Sequence, residues 1–213
     1  KRKSRGSIQM EKIVSRERFI EKVNGLIQDQ MIPFSIAVAD IDNFRVFNAN
    51  YGQEIGDMLI SKVVSILRHN TSDNDLISRI GDEFTILLYD KGAETSFTYM
   101  EEIRRYLSNN SFTMEGKEKA DVHATLSCGI ASYPRDAKNT VELLRVADTS
   151  MFRAKKLGKN RVCLSEPDSL VLKSCHLTKT QAERLAELSR ETEKTEAFLF
   201  REAIDDLLKK NSR

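Results

Sequence analysis

The chain has 213 residues, 40% of them apolar, and carries 34 basic against 32 acidic side chains. That length allows one well-filled core and a small second module but not three domains, and the balanced charge excludes a global field directed at nucleic acid or an anionic membrane. No apolar run approaches the ~20 residues that span a bilayer, and the basic opening KRKSRG is not followed by a signal-peptide core, so the expectation is a cytoplasmic protein without membrane contact. Cys128, Cys163 and Cys175 are widely spaced and odd in number, which fits reduced thiols rather than a disulfide frame or a zinc site. A first residue of Lys rather than Met suggests a piece of a longer protein with a sensor domain upstream.

In chain order, Arg16 to Ile27 has helical apolar spacing, and FSIAVA, Phe34 to Ala39, is a short apolar run suited to a buried strand that ends in Asp40. Asp57 to Leu67 reads as a helix with Asp57 as its N-cap. Leu76 to Ile80 and Phe84 to Tyr89 form a hairpin with Gly81-Asp82-Glu83 at its tip. A helix near Ser96 to Leu107, a strand near Val122 to Ala131 and a helix near Val141 to Leu157 follow. The order is α/β with local hairpins rather than a regular βαβ wind. At Glu166-Pro167-Asp168-Ser169 the pattern breaks, and the expected division is a domain over 1–165 and a module over 169–213.

The chemistry gathers at strand ends. In VADIDNF, Asp40 and Asp42 are two residues apart and share one side of an extended chain, and the hairpin tip brings Asp82 and Glu83 toward them. Clustered carboxylates with a free backbone carbonyl suit Mg²⁺, which usually arrives with phosphates. Taken alone, either pair reads more readily as capping and turn residues. In RAKKLGKNR, Lys155, Lys159 and Arg161 surround Gly158 at a helix end; they could neutralise a triphosphate, or be bases that suit the helix dipole around a C-capping glycine.

Three ordered stretches, ADIDNFRVFNANYGQEIGD, DNDLISRIGDEFTILL and TLSCGIASYPRDAKNTVELLRVADTSMFRAKKLGKNRV, resemble the successive signatures of the GGDEF family, the diguanylate cyclases that condense two GTP into cyclic di-GMP. The resemblance covers about Ser15 to Leu164. It implies a polymerase-palm-like α/β domain with a mixed or antiparallel sheet. It further implies Mg²⁺ (or Mn²⁺) held by Asp40, the backbone at Ile41 and Asp82, with Glu83 as the second acid of the signature. Asn48 and Asp57 match the pair that reads the guanine edge, Phe44, Arg45 and Gly81 fall in the nucleotide-contacting segments, and Lys155 and Lys159 match the phosphate clamps.

The departures are specific. The family tip reads R-x-G-G-D-E-F, whereas Arg79-Ile80-Gly81-Asp82-Glu83-Phe84 has one glycine. The interval from Asp57 to Asp75 matches the family's, so the difference is a one-residue deletion that draws Asp82 toward the strand. Met10-Glu11-Lys12-Ile13 stands where the family has D-x-L-T-G-L, Ala49 where it has Asp, and Gln53 where it has His. Ser72-Asp73-Asn74-Asp75 keeps the Asp of the family's R-x-x-D product site without its Arg. The nucleotide pocket reads as retained and the catalytic geometry as weakened, since a shift of ~1 Å can cost ~100-fold in rate.

The tail from Leu170 to Lys210 resembles the ribbon-helix-helix fold of small repressors, with a strand near Val171 to Leu177 and helices at Lys179 to Glu191 and Thr195 to Lys209. So small a unit should fold as a homodimer. In that family the ribbon reads DNA, here through Leu172, Ser174 and His176 by alternation. From Ser169 onward there are nine basic against eight acidic residues, a poor charge for DNA, and dimerisation is the expected role. Two functions follow from these readings. One is a diguanylate cyclase, its activity left open, that binds GTP with Mg²⁺. The other is a non-catalytic, nucleotide-sensing transcriptional regulator that binds DNA through the tail.

Overall fold

The computed structural model describes residues 13–29, 32–115, 119–166, 175–192 and 194–211. The chain divides into two compact units, Lys1–Ser165 and Glu166–Arg213. In the first, the elements run α1 (Arg16–Asp29), β1 (Phe34–Ile41), α2 (Phe44–Tyr51), α3 (Gln53–Asn70), β2 (Leu76–Ile80), β3 (Glu83–Leu88), α4 (Ala93–Asn109), β4 (Phe112–Glu115), β5 (Lys119–Val122), β6 (Leu126–Tyr133), α5 (Thr140–Lys156) and β7 (Val162–Leu164).

A five-stranded sheet in the order β2-β3-β1-β6-β7 organises this unit. Its first four strands pair antiparallel, while β6 and β7 are parallel. The sheet is therefore mixed, as the sequence led one to expect. Strand β1 lies at its centre, and the reason is visible in its residues: FSIAVA is apolar on both faces, so it needs cover on both. Ala37, Ala39 and Ile41 join the cluster built with Leu59, Val63 and Leu67 of α3 and Met100 and Ile103 of α4. Ile36 and Val38 join the opposite cluster, with Phe19 and Val23 of α1 and Leu143, Ala147 and Met151 of α5. The period of two in β1 thus decides which helix pair each side chain meets.

Helix α5 lies against β6 so closely that only glycine fits beneath it. A Cβ placed on Gly129 would stand 2.0 Å from the Met151 backbone nitrogen and 2.1 Å from the Ala147 carbonyl oxygen. Flanking β6, Asn139 caps α5 by accepting the Glu142 N–H at 2.9 Å, and Thr140 Oγ1 and Asn24 Oδ1 share a 2.5 Å hydrogen bond that ties α5 to α1.

Several expected boundaries are corrected. Asp57 does not cap a helix: α3 starts at Gln53 behind Gly52, whose φ of +85° and absent Cβ let α2 and α3 meet at a corner. Helix α2 was unforeseen, because its eight residues are too few to show a clear period. The strand expected over Val122 to Ala131 is two. β5 pairs with β4 in a separate two-stranded sheet, and β6 begins at Leu126. The hairpin tip is also shorter, since Ile80 pairs with Glu83 and only Gly81 and Asp82 form the loop.

The second unit contains α6 (Lys179–Thr192) and α7 (Glu196–Asn211). Thr178 and Gln181 form a reciprocal cap on α6: the Gln181 side chain accepts the Thr178 N–H at 2.9 Å and Thr178 Oγ1 accepts the Gln181 N–H at 3.3 Å. Of the expected ribbon, residues 171–174 lie outside the described residues, and Cys175 to Leu177 are not in a strand.

The close approach at Gly129 gives a sharp contrast in stability. Gly129→Ala must push a helix backbone away from the sheet and should cost about 3 kcal/mol or more. Gly25, inside α1 with nothing within 4 Å of its would-be Cβ, should gain about 0.5–1 kcal/mol as Ala. Urea denaturation of both variants checks the pair, and similar midpoints would refute the packing described.

Candidate functional site

By the alternation of β1, Asp40 shares the face of Ile36 and Val38, the side covered by α5. There Lys155 of α5 reaches it, with Nζ 2.6 Å from the carboxylate. Across the sheet Asp40 pairs in register with Glu83, so two acids stand directly opposite each other. Burial raises the pKa of Asp40; the hydrogen bond and charge of Lys155 oppose that, and Asp82 and Asp42 add to it. Burial also raises the pKa of Glu83, reinforced by Asp148 of α5 and by Asp40, with Arg16 and Lys155 opposing. The end of β1 is therefore a region of crowded negative charge.

The hairpin delivers its acids by a two-residue loop. Gly81 takes a φ of +62°, and Asp82 is absent from the left-handed region, the pattern of a loop with glycine first. Arg79 Nη1 donates to the Gly81 carbonyl at 2.7 Å and braces the turn. The Asp82 carbonyl lies over the end of β1, accepting the Ile41 N–H at 3.4 Å.

Asp42 behaves differently from Asp40, although the two are only two residues apart. Its buried carboxylate accepts from Ser127 Oγ at 2.6 Å, Thr125 Oγ1 at 2.7 Å and the Asn160 backbone N–H at 2.9 Å. It fastens the end of β1 to β6 and to the loop after α5. That loop closes α5 with a Schellman motif: Gly158 N–H donates to the Lys155 carbonyl at 3.3 Å and Lys159 N–H to the Ala154 carbonyl at 3.1 Å. Gly158 is thus a capping glycine as well as a neighbour of the two lysines. Lys159 Nζ donates to Asn43 Oδ1 beside Asp42.

At the α2–α3 corner, the Asn48 side chain lies over Gly56, where a Cβ would stand 1.8 Å from Asn48 Oδ1. That oxygen is buried and accepts no hydrogen bond. Asp57, next to Gly56, is exposed. Phe44 packs beneath the same corner, stacked on Phe47 at 6.2 Å between ring centroids, and Arg45 is exposed. Gly56 was not foreseen as a site residue. Its signal was a glycine inside an otherwise helical run, which costs about 1 kcal/mol and asks for a packing reason. Asp148, Asn43 and Asn160 were also missed, since nothing local in the sequence links them to Glu83, Lys159 or Asp42.

Asp75 is committed elsewhere. Fully buried, it accepts the Ser72 N–H and the Tyr89 N–H, each at 2.8 Å, and pairs with Lys91 at 3.0 Å.

The profile of "Diguanylate cyclase, GGDEF domain" matches residues 9–161. The chain belongs to the GGDEF family. Diguanylate cyclase A of Treponema denticola is 32% identical over 133 residues, 62% of this chain and 35% of that protein. The probable diguanylate cyclase DgcT of Escherichia coli is 32% identical over 139 residues, 64% and 30% of the two chains. This chain thus spans about a third of the length of these two curated relatives. Among solved structures, the GGDEF domain of DgcB from Caulobacter crescentus in complex with c-di-GMP superposes with a TM-score of 0.66 at 26% identity, covering 72% of this chain and 89% of that one. The active GGEEF domain of a diguanylate cyclase from Vibrio cholerae gives 0.64 at 26% identity, covering 72% and 98%. The matched family profile ends at residue 161, within the first unit.

No helix among the described residues is long and apolar enough to cross a membrane. Nor do three or more acidic, His or Cys side chains gather into a metal-binding group there. The donors available to a divalent ion are two carboxylates, Asp40 and Asp82, the second near enough for its charge to raise the proton affinity of the first, together with main chain at Ile41. That set fits Mg²⁺, which takes one or two carboxylates and completes its shell with water and phosphate. Of the DNA-reading residues expected in the tail, Leu172 and Ser174 lie outside the described residues, and His176 is exposed in irregular chain.

Glu83 supplies a test by pH. Its pKa is raised in the folded chain, so the folded state binds the proton more tightly; the stability this confers is full below the unfolded pKa and is lost as pH rises through the folded one. Glu83→Gln should therefore be more stable than the parent at about pH 7 and lose that advantage by about pH 4. Thermal melts across this range decide it, and an advantage that grows toward acid would contradict the crowding of Glu83 by Asp148 and Asp40.

Proposed function

We propose that the first unit binds GTP with a divalent cation and condenses two GTP into cyclic di-GMP when two copies face each other. The observation that carries the reading is the orphaned Asn48 Oδ1, buried over Gly56, whose chain neighbour is the exposed Asp57. A buried acceptor without a donor is costly, and guanine supplies N–H donors at N1 and N2. Adenine presents an acceptor at N1, which the Asp57 carboxylate repels; a site built to hydrogen-bond such a group rejects the analogue that lacks it.

In this reading Asp40, the backbone at Ile41 and Asp82 hold Mg²⁺ or Mn²⁺, which when bound neutralises phosphate charge and polarises the phosphorus under attack. Lys155 and Lys159 bind phosphate oxygens as point charges from the end of α5. Phe44, Arg45 and Gly81 flank the nucleotide. Glu83, with its raised pKa, accepts the proton of the attacking 3′ hydroxyl. Each attack forms one P–O bond and releases pyrophosphate, and two such attacks close the ring. The weaker point is the two-residue hairpin loop. With a single glycine there, turnover is slower than in a two-glycine relative, and a guanine-nucleotide sensor without catalysis is the second reading that this loop favours.

The tail is read as a ribbon-helix-helix-like dimerisation module. Ile204 and Leu207 of α7 are 51% and 61% exposed, one helical turn apart, and a second copy would cover them. DNA binding through the tail, if used, would be weak and salt-dependent, given nine basic against eight acidic residues from Ser169 onward. The unpaired cysteines, Cys128 and Cys163 buried, support a cytoplasmic setting.

Incubation with GTP and Mg²⁺ followed by chromatography for cyclic di-GMP tests the reaction. Titration should show GTP bound in preference to ATP, with Asp57→Ala weakening GTP by about tenfold, and equal affinities would remove the guanine pocket. In the full chain, Ile204→Glu with Leu207→Glu should convert a dimer to a monomer in light scattering; a dimer that survives would end the tail's assigned role.

A product-inhibition site at Asp75 is not expected, because its carboxylate is already saturated by Ser72, Tyr89 and Lys91 and no Arg accompanies it. Calorimetry that finds tight cyclic di-GMP binding, abolished by Ser72→Glu, would overturn this.

A further inference from the structure

The loop after α5 is held from a helix outside the site. Gly158, Lys159 and Asn160 lie in succession at φ of +114°, +65° and +46°, and non-glycine residues keep such a backbone only where the surroundings over-determine it. Asn160 is gripped twice. Its backbone N–H donates to Asp42 Oδ2 at 2.9 Å, and its side-chain Oδ1 accepts from Arg104 Nη1 at 2.7 Å. Arg104, on α4, is itself fixed by a fork: its Nε and Nη2 donate to the two oxygens of Glu101, both at 2.7 Å. The Arg104 and Glu101 side chains are only 13% and 20% exposed, so this pair is poorly placed to meet a nucleotide directly.

We propose that Arg104 and Asn160 are positioning residues for the phosphate-facing loop. Glu101 orients Arg104, Arg104 and Asp42 clamp Asn160 through its side chain and its backbone, and the clamp keeps the left-handed backbone that aims Lys159 at the end of β1. The contribution to phosphate binding rests on the GTP reading above; the clamp itself does not. Glu101 is shared between Arg104 and Arg105, whose Nε lies 3.1 Å from it, so the cluster keeps one net positive charge, and a Lys159→Ala background separates the geometry of the loop from that field.

Two measurements on the full chain separate these claims. The first is hydrogen exchange without nucleotide. Arg104→Ala and Asn160→Gly, the latter tolerant of positive φ but lacking the acceptor, should speed exchange over residues 158–161 while the remainder of α4 and β6 is unchanged. Asn160→Asp, which keeps an acceptor and tolerates the left-handed backbone, should not. Unchanged exchange in Arg104→Ala overturns the clamp. The second is affinity for GTP and for guanosine in the presence of Mg²⁺. Arg104→Ala should weaken GTP by about tenfold, as expected for a lost charge-assisted hydrogen bond, and leave guanosine as it was. The effect should vanish in a Lys159→Ala background. Equal losses for GTP and guanosine would mean that Arg104 supports the fold alone, and overturn its positioning role. A parent chain that binds no GTP overturns the nucleotide reading, and the exchange result still decides the clamp.

Discussion

The arrangement of the site depends on one buried carboxylate. Asp42 accepts three hydrogen bonds, from Thr125, Ser127 and the Asn160 backbone, and it is the point where β1, β6 and the loop after α5 are joined. A carboxylate can be buried at this depth only when its lone pairs are met. Once they are, the end of the central strand, the neighbouring strand and the lysine-bearing loop move as one piece. Asp40, two residues earlier, is then left to pair with Lys155, because it is not asked to hold anything together.

That division of labour explains why adjacent acids of one motif have different chemistry. In VADID both aspartates fall on the same side of the strand, and spacing alone does not distinguish them. The difference lies in what surrounds them: hydroxyls and a backbone amide around Asp42, a lysine and two further acids around Asp40. Asp75 makes the same point. It sits at a position that suggests ligand binding, yet two backbone amides and Lys91 consume its oxygens.

The central architecture was legible because it is written in local patterns. FSIAVA announces a doubly covered strand, and the apolar spacing of α1, α3 and α5 announces its cover. Three ordered motifs announced the family. What stayed hidden was of two kinds. Short elements, α2 and the β4–β5 hairpin, carry too few residues for a period to emerge. Contacts across long separations, such as Arg104 with Asn160 or Asp148 with Glu83, leave no local trace at all. Gly129 belongs to the second kind. It looks like an ordinary strand glycine until α5 is placed on it, and the 2.0 Å gap then shows why no side chain can stand there.

The remaining question is why a fold should tolerate Asp40, Asp82, Glu83 and Asp148 acting on one another at the strand end, where Lys155 and Arg16 oppose them. Pairing Asp40 directly with Glu83 across β1 and β3 is the placement that stability alone would avoid, since like charges opposite each other weaken a sheet. Hydrophobic cover on both faces of β1 supplies the margin; burial raises the proton affinity of both acids, and the charges of their acidic neighbours add to it. A group that relieves such repulsion binds with the energy it releases. A divalent cation escorted by phosphate is suited to do so, adding positive charge among the acids and offering oxygens to Lys155 and Lys159 in the same step. Under the proposed function, the stability given up at the strand end would return as affinity for the metal and nucleotide, a trade expected where a binding site is built at the edge of a rigid sheet.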